Sequence, residues 1–588
     1  MSRRTARLAL SVVALLAFFA ALQSVAPPDG FFSGDQGPKY LQARAFAEHG
    51  PLQPGIDVAS RDLDPDFHHQ ILEIRRGRLV GVFFWLLPLL TAPFFAALGD
   101  RGLYVVPALS AVAIFLASAS LGRRLTGGEG VSIAWAVVLC APVLFYGGEL
   151  WEHAPAAACV ALAAALLMPA AAGDGPPSPA AGHYTSRVLL AGAAIGVAAL
   201  FREEAGLALP ALTIARACLM PRGERIREAI RCGGLASLGV LTIFALAIPM
   251  NMVVYGSPIP VHLSVEAGKA AAHPPARARL VAELLLPSRH GALYLVIVGI
   301  GIAAVLRARA RRDAFAPVAL AAACALALVV VAFAIPIWRM AMFRESMYQV
   351  FSGDSIAHTW LFCIALLFVP LLTAALPDEG RGDAAVYLCV AAALMVAGAL
   401  AIVPSTGGAQ WSPRYLFPSA PLLAAAAAWP AWRVTGLPPR RAALLLWTAR
   451  IVLLCACAAQ GYGLWFLADG KARNARITRR LADLTRPGDV VISDIPWFPQ
   501  VTASLIPTRR ILFARSPDEV GGIARLAADR GIHDVAVVAS SAETGFRAPA
   551  TLDAGAACAF TRYVRISLGE RGLIVHRYSC NGPGTVVK

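Results

Sequence analysis

Residues 188–218 read VLLAGAAIGVAALFREEAGLALPALTIARAC, an apolar run broken at its middle by Arg202-Glu203-Glu204. A single helix through this stretch would carry three charges at mid-bilayer, where an unpaired ionisable side chain is costly. Two shorter helices meeting at an outward-facing Arg-Glu-Glu tip avoid that cost. The alternative is one kinked helix with an internally satisfied Arg–Glu pair.

The rest of the chain has the same character. Of 588 residues 58% are hydrophobic and 15% charged, against roughly 25% charged in soluble domains. The mean hydropathy is +0.63. Apolar runs of about 17–22 residues recur from Leu8 to Leu467, the length a bilayer requires. They lie near 7–26, 79–98, 103–121, 131–147, 154–172, 188–218, 233–253, 291–307, 315–337, 357–377, 384–404, 415–432 and 442–467. The chain reads as a polytopic α-helical membrane protein.

The net charge of +16 does not point to nucleic acid, because the Arg residues cluster in short loops between spans, as cytoplasmic loops do. Arg3, Arg4 and Arg7 place the N-terminus in the cytoplasm. A cleaved signal peptide over 1–26 is the alternative; it is disfavoured because no small-x-small site precedes Pro27-Pro28. Keeping Arg123-Arg124, 216–231, 307–312 and 433–441 inside requires two departures from simple alternation. Segment 79–98, with Pro88 and Pro93, is read as a broken or re-entrant segment that does not cross. The 188–218 run is read as two helices. About thirteen crossings result, with the C-terminus outside.

Residues 1–467 thus form a transmembrane domain with an outer loop 27–78, and 468–588 an extracytoplasmic domain. In the latter, an amphipathic helix (472–484) leads to strands near 490–493, 510–514 and 535–539 with a helix over 517–529. Strands near 563–568 and 573–578 close it as a hairpin, giving a small α/β fold. No glycine-rich phosphate motif accompanies the strands, and Asp494-Ile495-Pro496-Trp497 after the first one reads best as a strand-end turn. No CxxC pair exists, so cysteine supports no zinc or iron–sulfur site. Cys558 and Cys580 stand in the polar C-terminal region, where an oxidising compartment permits a disulfide between them.

Threading the chain this way collects the unusual polar residues on the outer face. Asp35 and Lys39 sit in FFSGDQGPKY (31–40), at the start of an amphipathic helix; Asp35 reads either as a helix cap or as a functional carboxylate. Glu149, Glu152 and His153 share a helix face at i, i+3 and i+4; the bland roles are helix-end solvation for Glu149 and capping or packing for His153. Arg202 sits with Glu203 and Glu204, and Arg414 lies in GGAQWSPRY (407–415), where it is also placed to act as a snorkelling anchor. Carboxylates with Arg and Lys nearby suit a base that deprotonates an acceptor hydroxyl while cations hold a phosphate leaving group. The carboxylate–His cluster is a weaker candidate for a divalent cation.

The layout resembles the GT-C superfamily of polyprenyl-phosphate-sugar glycosyltransferases, and within it the protein mannosyltransferase and aminoarabinose transferase branch. The features that carry the resemblance are the acidic motif opening the first outer loop, the charged tip at 149–153, the Arg-Glu hairpin, the GGxQWxPRY tip and the outer α/β domain. It implies that Asp35 and Glu152 are catalytic, Asp35 as base or metal-proximal carboxylate. Where the family often has Asp-Glu, this chain has Asp35-Gln36, a departure that bears on any two-carboxylate role. Lys39, Arg202 and Arg414 are expected to contact lipid phosphate, with His153 and Glu203 also in the substrate-binding group. No cofactor is required by the motifs; a divalent metal ion, if used, would fall to Asp35, Glu149 and Glu152.

The expected activity is inverting transfer of a hexosyl or pentosyl group from a polyprenyl-phosphate donor to a glycan, lipid or protein acceptor at the outer face of a bacterial inner membrane. A transporter or flippase of lipid-linked saccharides and an inactive envelope-assembly scaffold are the alternatives. A reporter fused after Arg124 is expected to read as cytoplasmic; an outside signal would remove the re-entrant segment from the topology.

Overall fold

The computed structural model describes residues 3–64, 72–128, 130–168, 181–263, 277–278, 280–281, 291–310, 319–324, 326–328, 382–403, 414–432, 439–540, 551–552, 558–568 and 571–580. The expected span 357–377, the loop 338–356, nearly all of the 256–290 loop beyond 263 and the GGAQWSP part of the 407–415 tip lie outside the described residues. Among the described residues six helical stretches are long and apolar enough to cross a membrane: Arg3–Val25, Leu86–Thr126, His183–Phe201, Arg225–Tyr255, Asp383–Ile402 and Pro439–Leu484. The protein is therefore a polytopic helical membrane protein. Two compact units make up the chain, one of residues 1–21, 106–247 and 265–465, the other of 22–105, 248–264 and 466–588.

In the first unit the 188–218 run divides as its charges require. One helix runs Ala181–Phe201, Arg202 is extended (φ −150°, ψ 119°), a 3-10 turn covers Glu203–Leu207, and a second helix runs Ala208–Cys218. The charged break is not an exposed tip, however: Arg202 and Glu204 are buried. The helices Ala181–Phe201 and Arg225–Tyr255 meet at backbone distance. A Cβ added at Gly192 would lie 2.0 Å from the carbonyl oxygen of Ala236, the close approach that small residues permit between membrane helices.

The helix His153–Leu167 orders the charges of this unit. At its C-terminal end, carbonyls without an intrahelical donor are met by arginines. Arg187 Nη2 donates to Leu166 O at 2.7 Å, Arg216 Nη1 to Leu167 O at 2.6 Å, and Arg124 Nη1 to Met168 O. Three cations at this end also complement the negative pole of the helix dipole. Arg124 and Arg216, from two of the basic loops, thus share one helix end. Glu152 occupies the N-cap position at the other, about 22 Å away at 1.5 Å per residue.

The second unit is built on a six-stranded sheet in the order β4-β3-β5-β8-β7-β6. Its strands are β3 (Val490–Ser493), β4 (Arg510–Phe513), β5 (Asp534–Ser540), β6 (Thr551–Leu552), β7 (Cys558–Leu568) and β8 (Arg571–Cys580). β4, β3 and β5 are parallel, and β8, β7 and β6 continue the sheet antiparallel. The connecting helix Pro517–Asp529 is capped by Ser516, whose Oγ accepts from Glu519 N, while Glu519 Oε2 accepts from Arg515 N. It packs Val520, Ala524 and Ala527 on Val490, Ile492, Val535 and Val537. Cys580 is disulfide-bonded, and the β7–β8 register sets Cys558 opposite it.

Three features of this unit go beyond what local pattern shows. The stretch 472–484 is not a separate helix but the end of one helix, Pro439–Leu484, that begins in the membrane-length apolar run. Segment 79–98, read from its prolines as broken or re-entrant, is only partly α-helix. Residues 79–81 belong to a hairpin of β1 (Leu72–Arg75) and β2 (Arg78–Gly81), and only Leu86–Leu98 is α-helix. Thirteen residues span about 20 Å, short of a bilayer's hydrocarbon core by themselves. Finally, residues 22–105 group with the C-terminal sheet in one compact unit. Leu63 joins the sheet's core, and Asp62 takes three hydrogen bonds from the Arg510 guanidinium.

The Phe31–Lys39 stretch is held closely within this unit. Asn474 Nδ2 donates to Phe31 O at 2.5 Å. At Gly37 an added Cβ would stand 2.1 Å from the carbonyl oxygen of Gln500 and 2.9 Å from Ala503 Cβ. Gly37→Ala gains up to about 1 kcal/mol of helix propensity, but overpacking against fixed backbone costs about 1–3 kcal/mol. The variant is expected to melt at lower temperature in a fluorescence unfolding assay; an unchanged or higher midpoint would show that the contact yields.

Candidate functional site

Within the first unit the structure gathers Glu152, Glu203 and Glu204 around one cation. Arg202 Nη1 lies 3.1 Å from Glu152 Oε1, and Arg202 Nε lies 2.9 Å from Glu204 Oε1. All three side chains are at most 6% exposed. The extended backbone at Arg202 turns its side chain back toward the N-terminus of the His153–Leu167 helix, so that a residue 50 positions away completes the pair. Glu203 adds a further negative charge to the field at Arg202.

The electrostatics follow from one buried cation facing two buried carboxylates, with the half-buried Glu203 close by. Burial alone would depress the Arg202 guanidinium, but Glu204, Glu203 and Glu152 overcompensate and hold it firmly charged. Burial pushes the Glu204 carboxyl above the usual carboxylate range despite Arg202, with Glu203 adding to the rise.

Aromatic rings form the surroundings. The Arg202 guanidinium stands 5.2 Å from the Tyr415 ring centre, and that of Arg414 stands 5.3 Å from Tyr415 and 5.9 Å from Trp151, within the range of cation–π attraction. Arg414 is half-buried at the start of the 3-10 turn Arg414–Ser419, held among rings of its own unit rather than extended as a lone anchor. His153 stacks on Tyr146 at 5.2 Å and packs on Trp151 at 5.4 Å. Tyr146 in turn meets Phe417 at 4.5 Å. Glu149 is fully buried, which removes the helix-end solvation reading. Trp151, Tyr146 and Tyr415 were missed as participants; their signal was only an aromatic residue beside each charged motif.

Asp35 and Lys39 belong to the second unit. Asp35 occupies the N-cap position of the helix Gln36–His49 but makes no side-chain cap hydrogen bond, its backbone being helical (φ −60°, ψ −17°). The cap-only reading of Asp35 is therefore removed. Gln36 takes over the local satisfaction of backbone: its Oε1 accepts from Phe32 N at 2.6 Å and Ser33 N at 3.4 Å. Lys39 is buried, with Nζ 4.2 Å from the Phe83 ring centre. A second buried lysine was missed: Lys471 Nζ stands 3.6 Å from the Tyr104 ring centre.

Among the described residues no group of three or more His, Cys, Asp or Glu side chains is placed to hold a metal ion. Glu152 is directed at the Arg202 guanidinium.

Fold and site define a polytopic helical membrane protein with a mixed six-stranded sheet and a buried acidic cluster around one arginine. No protein family and no curated protein matches the sequence. Among solved structures, the chain is similar to ArnT from Cupriavidus metallidurans bound to undecaprenyl phosphate, with 14% identity, 96% of this chain and 97% of that one covered, and a TM-score of 0.47. ArnT from the same organism in the apo state aligns with 13% identity, 96% and 97% coverage and a TM-score of 0.42. The archaeal oligosaccharyltransferase AglB from Archaeoglobus fulgidus, in complex with an inhibitory peptide and a dolichol-phosphate, aligns with 12% identity, 90% of this chain and 69% of that one, and a TM-score of 0.43.

Removing one partner of a buried ion pair leaves charge without compensation, at a cost of about 3–5 kcal/mol. Arg202→Met is expected to lower stability by that order in detergent-solubilised protein. A midpoint equal to wild type would mean that the cluster is hydrated and not closed.

Proposed function

We propose that the protein is a GT-C-type membrane glycosyltransferase that moves a sugar from a polyprenyl-phosphate donor to an acceptor hydroxyl on the outer side of the membrane. The observation that carries this reading is the buried Glu152–Arg202–Glu204 cluster beside Arg414 in a membrane protein. Charges fixed out of water in this way are suited to a reaction in which charge develops, since they need no reorganisation. The motif resemblance supplies the reaction class.

In the proposed reaction the acceptor oxygen attacks the anomeric carbon of the donor. The bond from that carbon to the phosphate oxygen breaks, and polyprenyl phosphate departs with the bonding pair. Configuration inverts because attack and departure are on opposite faces. Asp35 takes the acceptor proton as general base. Arg414 and Lys39 are assigned to the phosphate, Arg through its planar fork and Lys as a point charge. Arg202 is reassigned: with two carboxylates on its nitrogens, it acts as a positioning residue that fixes Glu152 rather than as a free phosphate contact. Glu152, His153 and Glu203 remain candidates for holding the sugar and acceptor. A bacterial inner-membrane location, a cytoplasmic N-terminus, an outer C-terminal sheet and a Cys558–Cys580 disulfide complete the proposal.

Gln36 supports a single-carboxylate version of the site. Its side-chain oxygen accepts two backbone hydrogen bonds, a role that needs no charge, so the departure from Asp-Glu is compatible with Asp35 acting alone.

Purified protein supplied with radiolabelled polyprenyl-phosphate sugar and candidate acceptors is expected to release polyprenyl phosphate. Asp35→Asn should cut the rate by about 10²–10⁴-fold. Equal rates in variant and wild type would remove Asp35 as the base. Absence of release with every donor tried would favour a transporter or a scaffold.

A further inference from the structure

We infer that the second unit carries a binding groove for a phosphorylated lipid headgroup, separate from the residues assigned to glycosyl transfer. The groove lies between the last turns of the Pro439–Leu484 helix and strand β7. It encloses about 650 Å³ and is lined by Arg476, Arg479, Arg480 and Asp483 on the helix and by Val564 and Ile566 on the strand. That volume falls within the range of small-molecule sites.

The charge pattern selects an anion. Arg476, Arg480 and Asp483 lie at i, i+4 and i+7, hence on one helix face, with Arg479 beside them. Arg479 is already engaged, both of its nitrogens at 2.8 Å from the Asp29 carboxylate. Arg476 and Arg480 are exposed and have no ion pair or side-chain hydrogen bond. Two like charges one turn apart repel, and a guanidinium pair of this spacing matches the oxygens of a phosphate. The single carboxylate of the lining, Asp483, leaves an excess of positive charge.

The opposite wall and the path of the helix select a lipid. Val564 and Ile566 alternate along β7 and so present one apolar face, which a free inorganic anion would not use. The same helix carries the apolar run that ends at Leu467, so Arg476 and Arg480 follow about 14 and 20 Å farther along its axis. Helix tilt and the long reach of arginine bring side chains at this distance to the headgroup layer.

The test uses the full-length protein in a neutral detergent, titrated with dioctanoyl phosphatidylglycerol, dioctanoyl phosphatidylcholine or inorganic phosphate while binding is followed by calorimetry. Wild type is expected to bind the phosphatidylglycerol at least about tenfold more tightly than either other probe. The double variant Arg476→Gln/Arg480→Gln should lose about tenfold in affinity for it, and Arg476→Lys/Arg480→Lys should keep most of it. Undiminished binding in the glutamine variant, or loss in both variants, overturns the charge-based site. Inorganic phosphate or phosphatidylcholine binding as tightly as phosphatidylglycerol overturns the lipid assignment.

Discussion

The ionic balance at Arg202 is the constraint on which the first unit depends. A guanidinium removed from water must be surrounded by acceptors, and here Glu152 and Glu204 supply them at 3.1 and 2.9 Å. Meeting that demand breaks the 188–218 run at a fixed point and ties it to the start of the His153–Leu167 helix. With Glu203 as third carboxylate the cluster holds more negative charge than its cation neutralises, and burial together with Glu203 raises the Glu204 carboxyl above the usual carboxylate range. The break is therefore a store of fixed charge as well as a joint.

The His153–Leu167 helix gives that charge a direction. Its carboxylate-bearing end and its arginine-capped end are complementary to the helix dipole at both poles. The arginines that positive-inside reasoning assigns to loops also do local work as hydrogen-bond donors to terminal carbonyls.

In the second unit the equivalent constraint is close contact. The Phe31–Lys39 stretch lies against the backbone at Gln500, and glycine at position 37 leaves the room for it. Gln36 satisfies the turn from within, so the carboxylate of Asp35 is not consumed in capping its helix. Lys39 and Lys471 are each set over an aromatic ring. Buried cations and a closely fitted loop are arranged around the motif with which the proposed chemistry begins.

The sequence by itself determined the membrane class, the break at Arg202, the helix over 517–529 and strands near 490–493, 510–514 and 535–539. Each of these is written in local pattern: apolar length, a charge inside an apolar run, and short apolar runs that alternate with a helical stretch. Tertiary structure alone decided which residues meet. The hairpin 72–81 was hidden because β2 opens an apolar run that reads as membrane, and the 472–484 helix was separated from its span because a change of polarity does not end a helix. The pairing of Glu152 with Arg202 and the turning of Gln36 onto Phe32 depend on where distant or reversed segments come to lie. Hydropathy reports the solvent a segment prefers; the partner of a buried charge is fixed only when the chain has closed around it.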